Sequence, residues 1–298
     1  MQLITSLDSS SPTWVRVFNS IALGAVCVFG AASTIAQPAH LTKGLQLADE
    51  IAGAQAVGVF TDANNVSLNR YGGSWNSTTD ASFIRFADLA NGVLPANNTR
   101  CAPLVTHLLK NAYNWSWSAY SFYDPVLKVT KSSNSPAPYQ YIALLKANKG
   151  FASRITRLDQ ALPGDILLWW NIGSDANDHA MIIVSVDLAN GKAYPSELAA
   201  AKPELAGTTY YAVEVLDSSS GVHTNDSRVV PVNGVDTQIA GIGTGTVGIL
   251  VNASFEIVGT TWSLPTSDFA TQKDAWLGGL HSRLKLQSAT ESLIGRMP

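Results

Sequence analysis

Three side chains of this sequence have the types and the order that acyl transfer through a thiol requires. This chemistry needs a thiolate, a histidine that takes and returns its proton, and a third polar group that orients the histidine. Cys101, His179 and Asp217 follow one another in this order along the chain. The sequence therefore predicts a Cys-His-Asp site with Cys101 as nucleophile, His179 as general base and Asp217 as the group that holds the imidazole.

Cys101 is predicted to stand at the beginning of a helix. The segment 101–113, CAPLVTHLLKNAY, has apolar residues at helical spacing. Pro103 fits only in the first turn of such a helix, and Asn98 and Thr99 just upstream are candidates for its cap. The unpaired amides and the positive end of the dipole at a helix N-terminus favour a thiolate, and they can also stabilise an oxyanion.

His179 is the best candidate base among the five histidines of the chain. It follows a polar loop and opens the apolar strand HAMIIVSVD, so it can face a helix that packs on the same sheet. His107 lies on the Cys101 helix itself, six residues further on, and does not comfortably reach the thiol. His223, in the loop SSSGVHTNDSR, is a competitor, and the other two histidines lie in the N-terminal segment and the tail.

The third position of the site has more than one candidate. Asp217 ends the strand YYAVEVLD, where its carboxylate can accept a hydrogen bond from one ring nitrogen of His179. Asp226 and His223 lie just beyond and can take this place instead. Because loop Asp and His residues commonly bond to local backbone or water, the choice of Asp217 depends on the order helix, strand, next strand.

The cysteine count gains meaning from the N-terminus. The segment 15–36 combines Arg16, a short apolar stretch and small residues before a possible cleavage point after Ala36, which is typical of a secretory signal peptide. An uncleaved N-terminal anchor is the alternative. Removal of residues 1–36 leaves Cys101 as the only cysteine. A lone thiol in an oxidising compartment is a liability unless it is buried or used.

The composition indicates a globular protein and argues against nucleic-acid binding. The chain has 298 residues, of which 46% are hydrophobic and 14% charged, and its formal net charge is -3. This apolar content is sufficient for a large core, and no Lys/Arg run supplies the basic surface of a nucleic-acid binder. Neither metal-ligand spacing nor a phosphate-loop Lys-Ser/Thr is visible, so no metal and no cofactor are expected.

The elements that must position the three residues change in type along the chain. Helical spacing predicts helices within 37–60 and 82–93 in addition to the Cys101 helix. From about residue 162, short apolar and β-branched runs alternate with turn residues, which indicates an antiparallel sheet. The predicted strands lie within 162–170, 179–187, 210–220, 239–252 and 255–263, with a short helix near Trp276 and a last strand near Ile294. Helices followed by a run of strands imply an α+β architecture.

These segments resemble the NlpC/P60 family of cysteine hydrolases, which has a papain-like fold. CAPLVTHLL, then LPGDILLW and DHAMIIVSVD, then VLDSSS follow the family's order over about residues 85–262. Cys101, Pro163-Gly164-Asp165 and His179 match the family motif residue by residue. The resemblance implies N-terminal helices, with the nucleophile at a helix N-terminus packed on an antiparallel sheet.

The resemblance also implies a domain organisation and a location. Residues 1–36 are expected to be a signal peptide or an uncleaved anchor, 37–80 a helical and loop extension, and 81–298 the catalytic domain. The protein is expected in the bacterial cell envelope, periplasmic or secreted, with no stable membrane span after removal of the signal.

The implied activity is hydrolysis of amide or peptide bonds, with a peptide or peptidoglycan-like substrate and no nucleic-acid partner. Arg100 stands where the family usually has Asp, and Ala102 and Pro103 replace Ser and Gly. The family also often has His at the third catalytic position. These departures keep two alternatives open: a non-catalytic envelope-binding module on the same fold, and a related acyltransferase or lipid amidase.

Overall fold

The structure of the chain is a computed structural model. It describes residues 36–73, 81–172, 178–194, 203–232, 234–264, 284–286 and 290–298. The predicted signal peptide or anchor therefore lies outside the described residues except for Ala36, and so does the helix expected near Trp276. Within these ranges the chain is α+β, as the sequence predicts, and no helix combines the length and apolarity needed to cross a membrane.

The described residues form three α-helices. They are α1 (Ala39–Ala56), α2 (Cys101–Tyr113) and α3 (Pro138–Lys146). Short 3-10 turns cover Leu89–Asn91, Trp117–Ala119, Leu158–Gln160 and Pro203–Leu205. The prediction for the Cys101 helix is confirmed, and the predicted helix within 37–60 corresponds to α1.

The strands form one large antiparallel sheet and three small sheets. The strands are β1 (Asn69–Arg70), β2 (Phe83–Arg85), β3 (Ala96–Asn98), β4 (Phe122–Asp124), β5 (Val129–Lys131), β6 (Ser153–Ile155), β7 (Ile166–Asn171), β8 (His179–Val186), β9 (Lys192–Ala193), β10 (Thr209–Ser219), β11 (Val229–Val232), β12 (Val235–Gln238), β13 (Gly241–Val251), β14 (Ile257–Thr261), β15 (Leu284–Leu286) and β16 (Thr290–Arg296). The large sheet has the order β15-β14-β13-β10-β8-β7-β16-β6, and β9 pairs with β10. Its strand pairs are all antiparallel, as predicted, and the last strand includes Ile294.

The large sheet separates two apolar clusters. On one face, the three helices pack against the sheet in a cluster that includes Leu41, Leu108, Ile182 and Leu216. On the other face, successive side chains of the same strands, such as Ile183, form the second cluster. Because side chains alternate along a strand, β8 and β10 contribute to both clusters and fix the sheet between them.

The helix α1, from the predicted N-terminal extension, packs directly on α2. Gly44 makes this contact possible, because a Cβ at this position would collide with Leu216 and touch Leu108. Leu41 and Leu47 of α1 are fully buried in the same cluster as the helix that carries Cys101. The extension is therefore part of the core that supports the site.

The helix predicted within 82–93 is wrong. Phe83–Arg85 forms β2, which pairs antiparallel with β3, and only a 3-10 turn follows. Asp88 accepts hydrogen bonds from the backbone and side chain of Asn91, and Gly92 adopts a left-handed φ of 69°. The short polar side chains capture local backbone groups in a turn, and this competes with a continuous helix.

Candidate functional site

Cys101 is the first residue of α2, and its side chain is buried. Neither of the predicted caps closes this helix. The N-cap is Arg100, which makes no side-chain capping bond, whereas Thr99 Oγ1 donates to Asn97 and Asn98 accepts from the amide of Gly73. The first-turn amides therefore keep no side-chain cap, which is the arrangement that an anion-binding helix N-terminus needs.

The segment before α2 is attached to the end of β10. Ser218 Oγ donates to the carbonyl of Thr99 at 2.7 Å, and Asn97 Nδ2 lies 3.4 Å from the same hydroxyl. Ser218 follows Asp217 directly. These bonds attach the beginning of α2 to the end of the strand that carries Asp217, although the two segments are more than 100 residues apart in sequence.

The structure brings Cys101, His179 and Asp217 together in a single relay. His179 is the first residue of β8, and its Nε2 lies 2.6 Å from Asp217 Oδ2. The ring also makes a hydrogen bond with the Cys101 thiol. His179 and Asp217 are 5% and 0% exposed, so the relay is shielded from water.

The electrostatics of this relay favour a charged imidazole. Burial alone would lower the pKa of His179, but the Cys101 charge and the hydrogen bonds to Asp217 and Cys101 outweigh burial and raise the pKa to about 10. Burial alone would raise the pKa of Asp217, but the charges of His223 and Arg228 and the hydrogen bonds from His179 and His223 hold it far below its usual range. The arrangement places a charged imidazole between the Cys101 thiol and the carboxylate that orients the ring.

The competing candidates for the third position surround Asp217 and do not replace it. His223 Nε2 lies 3.1 Å from Asp217 Oδ2, the same oxygen that receives His179. Arg228 Nη1 lies 3.0 Å from Asp217 Oδ1, with which it forms an ion pair. The same nitrogen donates a hydrogen bond to the carbonyl of Gly241 at 3.1 Å. Asp226 accepts two bonds from the Arg228 guanidinium, of 2.8 Å from Nε and 2.6 Å from Nη2, and it also accepts the backbone amides of Arg228 and His223.

Two glycines of β13 make room for these side chains. A Cβ on Gly245 would lie 2.7 Å from the Cβ of His223 and 3.1 Å from Asp226 Oδ2. A Cβ on Gly243 would lie 2.6 Å from Cγ of Arg228. The sequence shows these residues as strand glycines, but their use is visible only when the loop after β10 folds over them.

Trp262, just after β14, covers the imidazoles. Its ring centroid lies 4.9 Å from that of His179 in an edge arrangement and 4.2 Å from that of His223. Its indole N–H donates to the carbonyl of Val222, and its own carbonyl lies 2.8 Å from His223 Nδ1. Sequence reasoning missed this residue, because a half-buried tryptophan at a strand end carries no signal of its own.

Tyr71 is a second residue that the sequence did not identify. Its side chain is half-buried, and burial, together with the charges of Cys101, Asp217 and Asp178, raises the pKa of its phenol although Arg100 opposes this. The phenol therefore stays protonated as a hydrogen-bond donor near the thiol. The first-turn amides of Cys101 and Ala102 are the other donors at this position, because an α-helix offers them no internal acceptor.

The remaining histidines with described positions are not part of the relay. His40 is buried in α1, with its ring against the carbonyl of Gly164 and the hydroxyl of Tyr113. His107 is bonded to Ser82. His281 lies outside the described residues.

The Pro163-Gly164-Asp165 motif has a local structural role. Gly164 has a φ of 91°, which a left-handed turn requires, and Asp165 Oδ2 accepts the amide of Leu162. The buried Asp165 carboxylate also forms two bonds to Arg296 of β16, at 2.9 and 2.8 Å. The motif therefore forms the turn that begins β7 and attaches β16 to it.

One group of described residues has the composition of a metal site. Candidate ligand atoms of His179, Asp217 and His223 lie within 4.8 Å of one another. The direct 2.6 Å bond between His179 and Asp217, and the Arg228 guanidinium on the same carboxylate, favour an ion-pair network over a cation site. No step of the chemistry below uses a metal.

No protein-family model matches this chain, and the searches of curated proteins and of solved structures found no match either. The resemblance to the NlpC/P60 family therefore remains a prediction from the motifs.

Proposed function

We propose that this protein is a cysteine hydrolase that cleaves an amide or peptide bond through a Cys101-His179-Asp217 site. The observation that carries the proposal is the position of His179 between a buried thiol and a buried carboxylate, with the thiol at the N-terminus of α2. A structural cysteine requires none of these partners, whereas each of them is used to activate or orient a nucleophilic thiol and its base.

The proposed reaction has two halves. The Cys101 thiolate attacks the substrate carbonyl carbon, and the amides of Cys101 and Ala102, with the Tyr71 hydroxyl, stabilise the oxyanion. The imidazolium of His179 gives its proton to the leaving amine as the C–N bond breaks and a thioester forms. His179 then takes a proton from water, which attacks the thioester, and cleavage of the C–S bond releases the acid and restores the thiolate and the imidazolium.

The proposed substrate class is a peptide of the bacterial cell envelope, including peptidoglycan peptides, and the proposed location is periplasmic or secreted. Both rest on the resemblance to NlpC/P60 hydrolases and on the predicted signal peptide. The α+β fold, with the nucleophile at a helix N-terminus against an antiparallel sheet, supports a papain-like arrangement. Arg100 and Ala102 are the positions where the substrate preference is expected to differ from that of the family.

Incubation with purified peptidoglycan and a panel of envelope peptides tests the proposal. Cys101→Ala and His179→Gln are each expected to lower kcat/KM by about three orders of magnitude or more, because the residues act as a unit. His107→Gln is the matched control, since His107 lies on α2 but bonds to Ser82. Hydrolysis that persists in Cys101→Ala would refute the proposal.

Two further measurements separate the alternatives. In ¹⁸O-labelled water, a hydrolase incorporates the label into the new carboxyl group, whereas an acyltransferase gives an unlabelled product joined to an amine or alcohol acceptor. Alkylation of Cys101 by iodoacetamide at about pH 6 should exceed that of a free cysteine, because a thiolate is present. A rate equal to that of free cysteine would instead indicate a non-catalytic module.

A further inference from the structure

His223 has an acceptor at each of its two ring nitrogens. Nδ1 lies 2.8 Å from the carbonyl oxygen of Trp262, and Nε2 lies 3.1 Å from Asp217 Oδ2. A carbonyl oxygen and an ionised carboxylate can only accept hydrogen bonds, so each nitrogen must carry a proton. A neutral ring would leave one lone pair directed at an acceptor inside the protein, where water does not screen the repulsion.

The charges around His223 agree with this protonation state. Asp217, His223, Asp226 and Arg228 are between 0% and 8% exposed. With His223 charged, these four residues supply two anions and two cations. A neutral His223 would leave one buried carboxylate uncompensated, which proteins avoid because desolvation of an unpaired charge is costly.

We infer that His223 is a buried imidazolium that acts as a positioning residue, holding Asp217 toward His179 and limiting how strongly that carboxylate retains the His179 proton. The inference rests on the proposed function, because it assigns His223 a role in the same site. Asp217 Oδ2 receives both imidazoles at once, so His223 fixes the orientation of the carboxylate. It also shares the negative charge that would otherwise act on His179 alone.

The groups that face His223 come from every element packed around it. Asp217 of β10 is the nearest anion, and His179 of β8 lies on the other side of the same oxygen. Asp226 and Arg228 belong to the same loop, and Asp226 accepts the His223 amide. The segment after β14 contributes the Trp262 ring and carbonyl, and β13 contributes Gly245, which has no side chain.

The effect of removing this charge has a definite sign. In His223→Gln the side-chain amide can still donate to Asp217, but the positive charge is gone. The carboxylate then attracts the His179 imidazolium more strongly, and the loss of its proton is expected at a pH about one unit higher or more, since the two rings approach within a few ångströms. If His223 had only a structural role, its replacement would lower the reactivity of Cys101 but would not change the pH at which His179 loses its proton.

The experiment measures the rate of Cys101 alkylation by iodoacetamide as a function of pH in the full chain, so that no substrate is needed. The variants are His223→Gln, His223→Ala and, as a matched buried histidine, His40→Gln. Loss of the His179 proton should change the alkylation rate at alkaline pH. We expect the midpoint of this change at a higher pH in His223→Gln and at an unchanged pH in His40→Gln. His223→Ala, which also lacks the donor, should lower the rate, and His223→Gln should restore part of it. If the midpoint pH is the same in a folded His223→Gln variant as in the native chain, the inference is overturned.

Histidine ¹⁵N NMR gives a readout that does not depend on reactivity. The ring signals absent from the His223→Gln spectrum belong to His223, and in the native chain they should show two protonated nitrogens at neutral pH. A neutral tautomer would overturn the inference, and so would a stoichiometric Zn²⁺ that the native chain retains and His223→Gln loses. If Cys101 shows no thiolate reactivity but His223 is charged, the proposed function fails and the buried imidazolium stands.

Discussion

The ring of Trp262 covers the two imidazoles that share Asp217. It lies edge-on to His179 and closer still to His223, and it shields their hydrogen bonds from water. A hydrogen bond between charged groups is stronger in such a low-dielectric site than in water. The indole therefore protects the orientation of the relay, and its own N–H bond to Val222 serves mainly to fix the ring.

Replacement of the Trp262 side chain should separate the effect of the aromatic ring from that of the indole N–H bond. Trp262→Ala is expected to lower kcat/KM roughly tenfold or more, because water reaches the His179-Asp217 bond, whereas Trp262→Phe, which keeps an aromatic ring, should lose only a few-fold. Tyr123→Ala is the control, since Tyr123 is an aromatic residue that is 56% exposed. Equal activities of the Ala variant and the native chain would show that the ring shields nothing.

At the scale of single residues, the sequence predicts which residues belong to the site but not which of them bond to one another. The sequence leaves Asp217, His223 and Asp226 as alternatives for one position, because all three lie within ten residues of one another at the end of β10 and just after it. In the structure, Asp217 is the carboxylate that contacts His179, His223 contacts Asp217, and Asp226 bonds to His223. Nothing in the spacing predicts this, since it depends on how the loop after β10 folds back over β13.

At the scale of elements, the loop after β10 packs against β13. Gly243 and Gly245 leave the space that Arg228 and His223 occupy. A glycine inside a strand commonly marks a close approach of another chain segment, and here the neighbour is the charged loop. The glycines are therefore expected to be intolerant of even the smallest side chain.

Gly245→Ala tests this expectation. The new Cβ would meet the Cβ of His223 at 2.7 Å, so the loop must move. We expect a loss of about 1–3 kcal/mol in the free energy of unfolding and slower alkylation of Cys101, because displacement of His223 releases Asp217. Thr244→Ala, at the half-exposed neighbouring position, is the control in urea unfolding. Unchanged stability together with unchanged alkylation would contradict the role given to this glycine.

Elements with strong periodicity could be predicted and those without it could not. The helix α2 has apolar residues at helical spacing, the strands β7, β8, β10, β13 and β14 are rich in apolar or β-branched residues between turn residues, and the sequence predicts each of these elements. The segment 82–93 has apolar residues at helical spacing as well, but pairing with β3 and the Asp88 turn override that preference. Tertiary contacts of this kind are invisible to a local pattern.

At the scale of the whole molecule, the site depends on contacts between distant parts of the chain. The last strand, β16, lies between β7 and β6, and Arg296 attaches it to the buried Asp165. Strand order in such a sheet is set by long-range pairing and side-chain burial, so the sequence predicted an antiparallel sheet without its order. The charged network joins β8, β10, the loop before β11 and the end of β14, and therefore contributes to global stability.

A double-mutant cycle on Asp217 and His223 measures this contribution. Asp217→Asn removes one of the two anions and leaves Asp226 as the counter-ion of both His223 and Arg228, so it should cost about 3–5 kcal/mol in the free energy of unfolding at neutral pH. His223→Gln in the same chain removes one cation and restores the balance. The double variant should therefore be more stable than the sum of the single effects predicts, with a coupling of about 1–3 kcal/mol.

The pH dependence of the same cycle has a fixed sign. The pKa of Asp217 is lowered in the folded state from an ordinary value of 3.8, so its stabilisation is fully present above about pH 4 and is lost as the pH falls toward the folded value. The gap in stability between the native chain and Asp217→Asn should accordingly narrow from pH 5 to about pH 2 in urea unfolding. Asp187→Asn, at an exposed position after β8, should show no such narrowing. A gap that stays constant down to pH 2 would mean that the Asp217 charge does not stabilise the fold, and the ion-pair network would lose its energetic basis.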